Sequence, residues 1–464
     1  MTRRLPVTPA PGPLEDYCHE FDPLFDHRPQ RDGFRRYLEG LLLPAERNKT
    51  LTALANTEPL LGAQHPRAQS LQWFLAESTW DPTAVNERRL ALLCADPVTA
   101  PTARGVLVID EHGDRKWGSK TAHVGKQYLA NLGKIDNGVV SVTSLWADEQ
   151  LYYPLHVEPY TPAHHFPYGK ADPTFRTKLA IGQDLVRRAV RAGIPFRAVV
   201  ADSFYGEDHG FQRGMRELGV GDVRALKSSH AWVHPIGTIG ALQESAAAAG
   251  WKGPKEPGDW VRIARSFRDG HTETWWALEV ERGPYGPEQA YRAIVVTTDP
   301  ASLPERATWY LTTNLPAPGS PGAAEERALP AADLAEIVRL YGLRMWVEQS
   351  YKQTKGALGW SAYQVRSDLA IRRHWTLVCC AFSFCWYHHS RSAESGNGPV
   401  ETEPVADAAR GGGKKQQRES TPAASLLASG PPGGAGLAGA LDHAVALLER
   451  VVDGAPTSAA PNAA

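Results

Sequence analysis

Two short apolar runs constrain the fold more than anything else in the chain. "GVLVID" ends at Asp110, and "FRAVVADS" carries a second apolar run up to Asp202. A strand with one wet face alternates apolar and polar residues, so a run that is apolar throughout belongs in mid-sheet with both faces covered. Between these runs, "GVVSVTSLWA" and "QLYYPLHVEPY" read as two further strands. "DPTFRTKLAIGQDLVRRAVRAG" reads as an amphipathic helix, opened by Asp172-Pro173 and closed by Gly193. "GFQRGMRELG" reads as a second helix, leading into the short strand "DVRALK".

Three strands, a helix, a strand, a helix and a strand is the order of an α/β ribonuclease H-like core. Its two apolar strands would run parallel in mid-sheet, each with a carboxylate at its C-terminal end, the edge where active sites form in open α/β sheets. The 464 residues exceed one such core. We expect a flexible N-terminus over 1–12. An all-helical domain over 13–98 would be either a plain helical cap or a DNA-binding unit. The first part of the core spans 99–228, a Trp-rich β-strand insertion 229–325, and the C-terminal helices of the core 326–390. Residues 391–464, rich in Gly, Ser, Pro, Ala and Lys, read as a disordered low-complexity tail.

The formal net charge of −1 argues against a uniformly basic nucleic-acid coat and leaves local patches open. Such a patch is expected from Arg344 to Arg373, where Arg344, Lys352, Lys355, Arg366, Arg372 and Arg373 face only Glu348 and Asp368. The five cysteines form no CxxC pair and read as reduced core residues. The adjacent pairs His164-His165 and His388-His389 lack helical metal spacing. "SKTAHVGKQY" (119–128) reads as a loop carrying Lys120 and Lys126, either a solvated turn or a DNA contact. The N-terminus has no apolar signal segment, and the apolar run from Trp375 is too short to span a bilayer. A cytoplasmic protein, nucleoid-associated when bound to DNA, is therefore expected.

"YGLRMWVEQSYKQTK" (341–355) reads as a helix with an unusual polar stripe. At about 100° per residue, Tyr341, Arg344, Glu348 and Lys355 fall within about 60° of one another. The bland interpretation is a solvated face with an Arg344–Glu348 pair at i,i+4. The alternative joins Glu348 to Asp110 and Asp202. Three converging carboxylates repel unless cations sit between them, and two hard divalent ions there can clamp the attacking and leaving oxygens of a displacement at phosphorus.

The spacing Tyr, two residues, Arg, three residues, Glu, six residues, Lys resembles the signature of a large group of bacterial insertion-sequence transposases. "GVLVIDEHGDRKWGSKTAHVGKQYLANLGKIDNGVVSV" and "VVADSFYGEDHGFQRGMRELG" are similar to the first and second catalytic-Asp regions of the DDE superfamily endonucleases in that group. The resemblance spans about 30 to 390. It implies Asp110, Asp202 and Glu348 as catalytic metal ligands, with two Mg²⁺ ions that Mn²⁺ can replace. It implies DNA contacts by Tyr341, Arg344 and Lys355, and a base-stacking Trp in the insertion. Trp309 is the candidate there, with Trp275 and Trp276 as rivals and a core role as the alternative for each. Many members have Asp where this chain has Glu111. The implied partners are transposon-end and target DNA and a second copy in a synaptic homodimer. The rival functions are a metal-dependent endonuclease that does not join strands and an inactive, domesticated DNA-binding repressor.

Overall fold

The structure is a computed structural model. It describes residues 7–394 except 11, 45–47, 58–61, 234–237, 268–269, 282–290 and 321–328. The tail expected from 391 lies, from 395 onward, outside the described residues, as do residues 1–6 of the expected flexible N-terminus.

The chain opens with helices α1 (Pro13–His19), α2 (Arg28–Leu42), α3 (Leu51–Leu54), α4 (Pro66–Ala76) and α5 (Pro82–Ala95). Four of them start with Pro in the first turn, where a missing N–H is harmless, and Asp81 caps α5 through bonds from the Thr83 and Ala84 amides. Four strands follow: β1 (Val106–Arg115), β2 (Gly125–Leu129), β3 (Lys134–Ala147) and β4 (Tyr152–Tyr160). Then come α6 (Lys178–Arg191), β5 (Ala198–Ala201), α7 (Ser203–Gly206), α8 (His209–Glu217) and β6 (Asp222–Leu226). Beyond these lie β7 (Ala231–Val233), β8 (Ile239–Ala241), α9 (Leu242–Ala248), β9 (Val261–Ser266), β10 (Thr272–Val280), β11 (Arg292–Thr297) and β12 (Thr308–Thr313). The described chain closes with α10 (Leu334–Gly342), α11 (Met345–Gly356) and α12 (Asp368–Glu394).

One ten-stranded sheet dominates, in the order β2-β3-β1-β5-β6-β12-β11-β10-β9, with β4 also on β3. The two apolar runs, β1 and β5, lie side by side and parallel, and β6 runs parallel to β5; the flanking pairs are antiparallel. The strands of 229–325 extend this same sheet through β12, which pairs with β6. On one face of that extension, Trp232, Trp260, Trp276 and Leu242 close a small second core.

Three local expectations are revised. β1 does not stop at Asp110 but continues to Arg115, because its polar residues find partners across the sheet and on α11. The stretch read as a loop after β1 contains strand β2, whose alternate residues are buried. The single helix expected over 341–355 is two. The ladder breaks at Leu343–Arg344, and the amides of Trp346 and Val347 bond three residues back. Arg265 packs so tightly at the end of α10 that a Cβ on Gly342 would stand 2.9 Å from its guanidinium.

The N-terminal helices share a continuous core with the sheet through α12, from Leu14 to Tyr387. Polar anchors sit inside that contact. Arg89, fully buried, donates to the Pro154 and Leu155 carbonyls of β4 and to Ser383 Oγ of α12. Arg373 of α12 donates to the Leu75 and Trp80 carbonyls. Among the described residues no helix is long and apolar enough to cross a membrane.

Candidate active site

The parallel register of β1 and β5 places Ile109 opposite Ala201, so Asp110 and Asp202 follow at the same level of neighbouring strands. Asp202 leaves its strand to cap α7, its Oδ1 accepting the Phe204 amide at 3.0 Å. Along β1, Asp110, His112 and Asp114 project to one face by the two-residue period of a strand. Helix α11 lies along that row. Arg344 meets Asp110, the Tyr351 ring stands 4.6 Å from the His112 ring, and Lys355 Nζ lies 2.7 Å from Asp114 Oδ1. Eleven residues of helix cover about 16 Å and four of strand about 13 Å, so helix and strand stay nearly in step.

At the head of the row a single guanidinium sits among three carboxylates. Arg344 lies 3.5 Å from Asp110, 3.8 Å from Glu348 and 4.0 Å from Asp202. Asp110 is buried, Asp202 half-buried, and Glu348 is 70 % exposed at its side chain, free to turn toward or away from the others. Burial pushes the Asp110 carboxyl up to about 7; Arg344 opposes the push and the neighbouring Asp202 adds to it. Burial alone would weaken the charge on Arg344, but Asp110, Tyr341, Asp202 and Glu348 more than offset it and hold the guanidinium firmly protonated. Tyr351 braces the floor, its hydroxyl bonded to Thr143 Oγ1, which donates to the Asp110 carbonyl at 3.4 Å. Glu111 points to the other face of β1, where Lys178 of α6 holds it at 2.7 Å.

The other expected contacts divide. Tyr341 lies within the electrostatic reach of Asp202, Asp110 and Glu348, and burial raises its phenol above the usual range. Trp309 is half-buried, 5.1 Å from the Tyr341 ring and 4.5 Å from Trp275. Trp276 belongs to the second core on the opposite face. Lys355 does not stand free beside Arg344: it is spent on Asp114, which is 3 % exposed. The expected basic footprint is thinner than its sequence. Arg372 grips Glu158 with two bonds of 2.9 Å and Arg373 is buried, leaving Lys352 and Arg366 as its exposed cations.

Three participants were missed in the sequence. His112 and Asp114 were readable as the alternation D-E-H-G-D, had β1 been carried past Asp110. Arg265 had no such signal. It lies against the rings of Phe267, Trp275 and Trp309 at 4.4, 5.2 and 5.0 Å, with burial lowering it to about 10. It lines a cleft of about 630 Å³ between β9 and the α10–α11 break.

The donor set at the head of the row is oxygen only, which suits a hard divalent cation. The position between the three carboxylates already carries a positive charge, that of Arg344. Among the described residues no three carboxylate, imidazole or thiol groups are gathered closely enough to chelate an ion as they stand. Glu348, the exposed member, is the one that would have to turn inward. The residues fit the cation in chemistry and sign, provided that Glu348 turns inward and the Arg344 guanidinium gives up its place.

Residues 20–278 match the family described as DDE superfamily endonuclease. Over 369 residues the chain is 31% identical to a probable transposase for insertion sequence element IS701 from Microchaete diplosiphon, an alignment covering 79% of this chain and 85% of that one.

Proposed function

The chain belongs to the DDE superfamily of endonucleases, and on that premise we propose that it is the DNA transposase of an insertion sequence, built on a ribonuclease H-like core. It cleaves and joins DNA strands at terminal inverted repeats by phosphoryl transfer. Its partners are the element ends, the target duplex and a second copy of the chain. The observation that carries the reading is the gathering of Asp110, Asp202 and Glu348 within 4.0 Å of one guanidinium.

Asp110, Asp202 and Glu348 are the residues that would hold divalent ions, which we take to be two Mg²⁺. Bound there, such ions supply the Lewis acidity that activates a water or a 3′-hydroxyl and steadies the leaving oxygen. The chain's own groups do the rest. Asp110 is fixed by β1 and by the Thr143–Tyr351 brace. Glu348, on the first turn of α11, would close the site by a side-chain turn as Arg344 swings out. Arg344 and Tyr341 offer donors to the scissile phosphate, and a guanidinium freed from the carboxylates is a strong phosphate ligand. Trp309 stands beside Tyr341 as the stacking surface for a base next to the cut.

The test is cleavage of a plasmid carrying the repeats that flank the gene. Asp110→Ala, Asp202→Ala and Glu348→Ala should each abolish cutting in Mg²⁺ while retaining repeat binding. A variant among the three that cuts at near wild-type rate removes its residue from the site. Cutting without joined product in the wild type favours the endonuclease alternative.

A further inference from the structure

The β2–β3 hairpin continues the Asp110 face of the sheet beyond α11; Val139 there is covered and Asn137 is bonded to the Lys116 and Gly118 carbonyls, while the outer end of the hairpin is bare. The β1–β3 register pairs Asp114 with Val139, so Val139, Asn137 and Ile135 share the face of Asp110 by the two-residue period. The β2–β3 register pairs Lys126 with Asn137 and Tyr128 with Ile135. On the opposite face, Gln127 and Leu129 are buried. On this face Tyr128 is 51% exposed and Ile135 68%, a cross-strand apolar pair left in water beside exposed Lys126. At the same end of β1, Trp117 is 85% exposed with the Arg115 guanidinium 4.0 Å above its ring. From Arg115 to Ile135 the chain carries five Lys or Arg and no Asp or Glu; Arg115 pairs with the next residue, Asp136, at 3.1 Å and Lys116 packs on the Tyr363 ring, so Lys120, Lys126 and Lys134 are its exposed free cations.

We propose that this hairpin face and Trp117 form a docking surface for an unpaired DNA strand leading away from the cut. The proposal rests on the transposase reading above. Its chemistry follows from the surface. A duplex hides the faces of its bases, so exposed rings gain stacking only from unpaired bases, while flanking lysines follow the phosphates. Two apolar side chains are far too little for a protein partner, which needs roughly 800 Å² per side. Eight residues of strand separate Tyr128 from Asp110, about 25 Å, so the held strand lies several nucleotides from the scissile phosphate.

The experiment measures fluorescence anisotropy in EDTA, so that no strand is cut, with the full chain and two probes of the same end sequence. One is a blunt duplex; the other has a single-stranded tail of about 10 nucleotides. Tyr128→Ala and Trp117→Ala are each expected to lose about tenfold in affinity for the tailed probe and to bind the blunt probe as the wild type does. Lys126→Glu should weaken the tailed probe and flatten its salt dependence. Thermal melts confirm that these surface variants fold. Equal losses on both probes, or none on either, overturn the proposal. So does a change in sedimentation without a change in DNA affinity, which would mark the face as a contact between copies. A wild-type protein that neither binds nor cuts repeat DNA sinks the transposase reading itself. A wild type that cuts normally, alongside variants that hold the tail normally, sinks only this surface.

Discussion

Asp110 is where burial and charge act most directly against each other. Its folded carboxyl is pushed up to about 7, whereas an unfolded Asp titrates near 4. Between those values the folded state holds the extra proton, so stability falls as pH rises through the window and the penalty is complete above it. Asp110→Asn should therefore raise the melting temperature by several degrees at pH 8 in metal-free buffer and far less at pH 4.5; an equal shift at both would show that the carboxylate is not strained. Arg344 is the counterpart. It is 19% exposed and supplies the one positive charge facing three carboxylates, so Arg344→Met should destabilise the metal-free protein at pH 8, and Ca²⁺ should recover more melting temperature in the variant than in the wild type. Calcium titrations by differential scanning fluorimetry decide it, equal recoveries counting against a shared ion. Lys355 tests whether its first partner is protein or phosphate. Lys355→Ala leaves Asp114, 3% exposed, with His112 at 3.4 Å and the more distant charge of Lys116, a loss of about 3 kcal/mol from the low end for broken buried pairs. Urea denaturation reads this directly; a variant as stable as wild type would leave Lys355 to the DNA.

At the level of elements, α12 ties the helical layer to the end of α11 through His374. Its Nδ1 accepts the Tyr37 hydroxyl of α2 at 2.8 Å, while Nε2–H donates to the Gly359 and Trp360 carbonyls at 3.1 and 3.2 Å, just beyond α11. Those partners fix the tautomer with the proton on Nε2, and burial keeps the ring neutral. Burial, aided by nearby Lys116 and opposed by the two carbonyls, lowers its pKa to about 4. The unfolded chain takes up a proton near 6.5 that the folded one refuses until about 4, so stability is lost as pH falls through that window. His374→Gln should melt below the wild type at pH 7.5, and the gap should narrow by pH 4.5. A gap constant with pH, measured by circular dichroism melts, would mean that His374 stays neutral in both states.

For the whole molecule, the consequence of a core shared by the helical layer and the sheet is cooperative unfolding. Residues 13–98 were expected as a helical domain, either a plain cap or a DNA-binding unit. They bury Phe21, Phe34, Phe74 and Leu93 in the same cluster as β1, β5 and α12, as a cap does, with Arg89 and Arg373 locked across the contact. Residues 1–98 expressed alone should show no cooperative transition, and residues 1–394 should give a single calorimetric endotherm. Two resolved endotherms would restore the separate domain.

The sequence by itself determined the parallel pair of apolar strands, the two aspartates beside each other, and the helical Glu that joins them. Each is written in a local period, and a fully apolar strand has one place to go in an α/β sheet. It also determined the family, because the Tyr-Arg-Glu-Lys spacing is itself linear. What only the tertiary structure decided is where the charges point. Arg344, Lys355 and Arg372 are equally basic in the sequence, yet each turns inward onto Asp110, Asp114 or Glu158. Those carboxylates are 234, 241 and 214 residues away, and once buried they must be paired. The same holds for the break at Leu343–Arg344: helical periodicity ran through it unbroken, and Arg265, from a strand far earlier in the chain, takes up the space against Gly342.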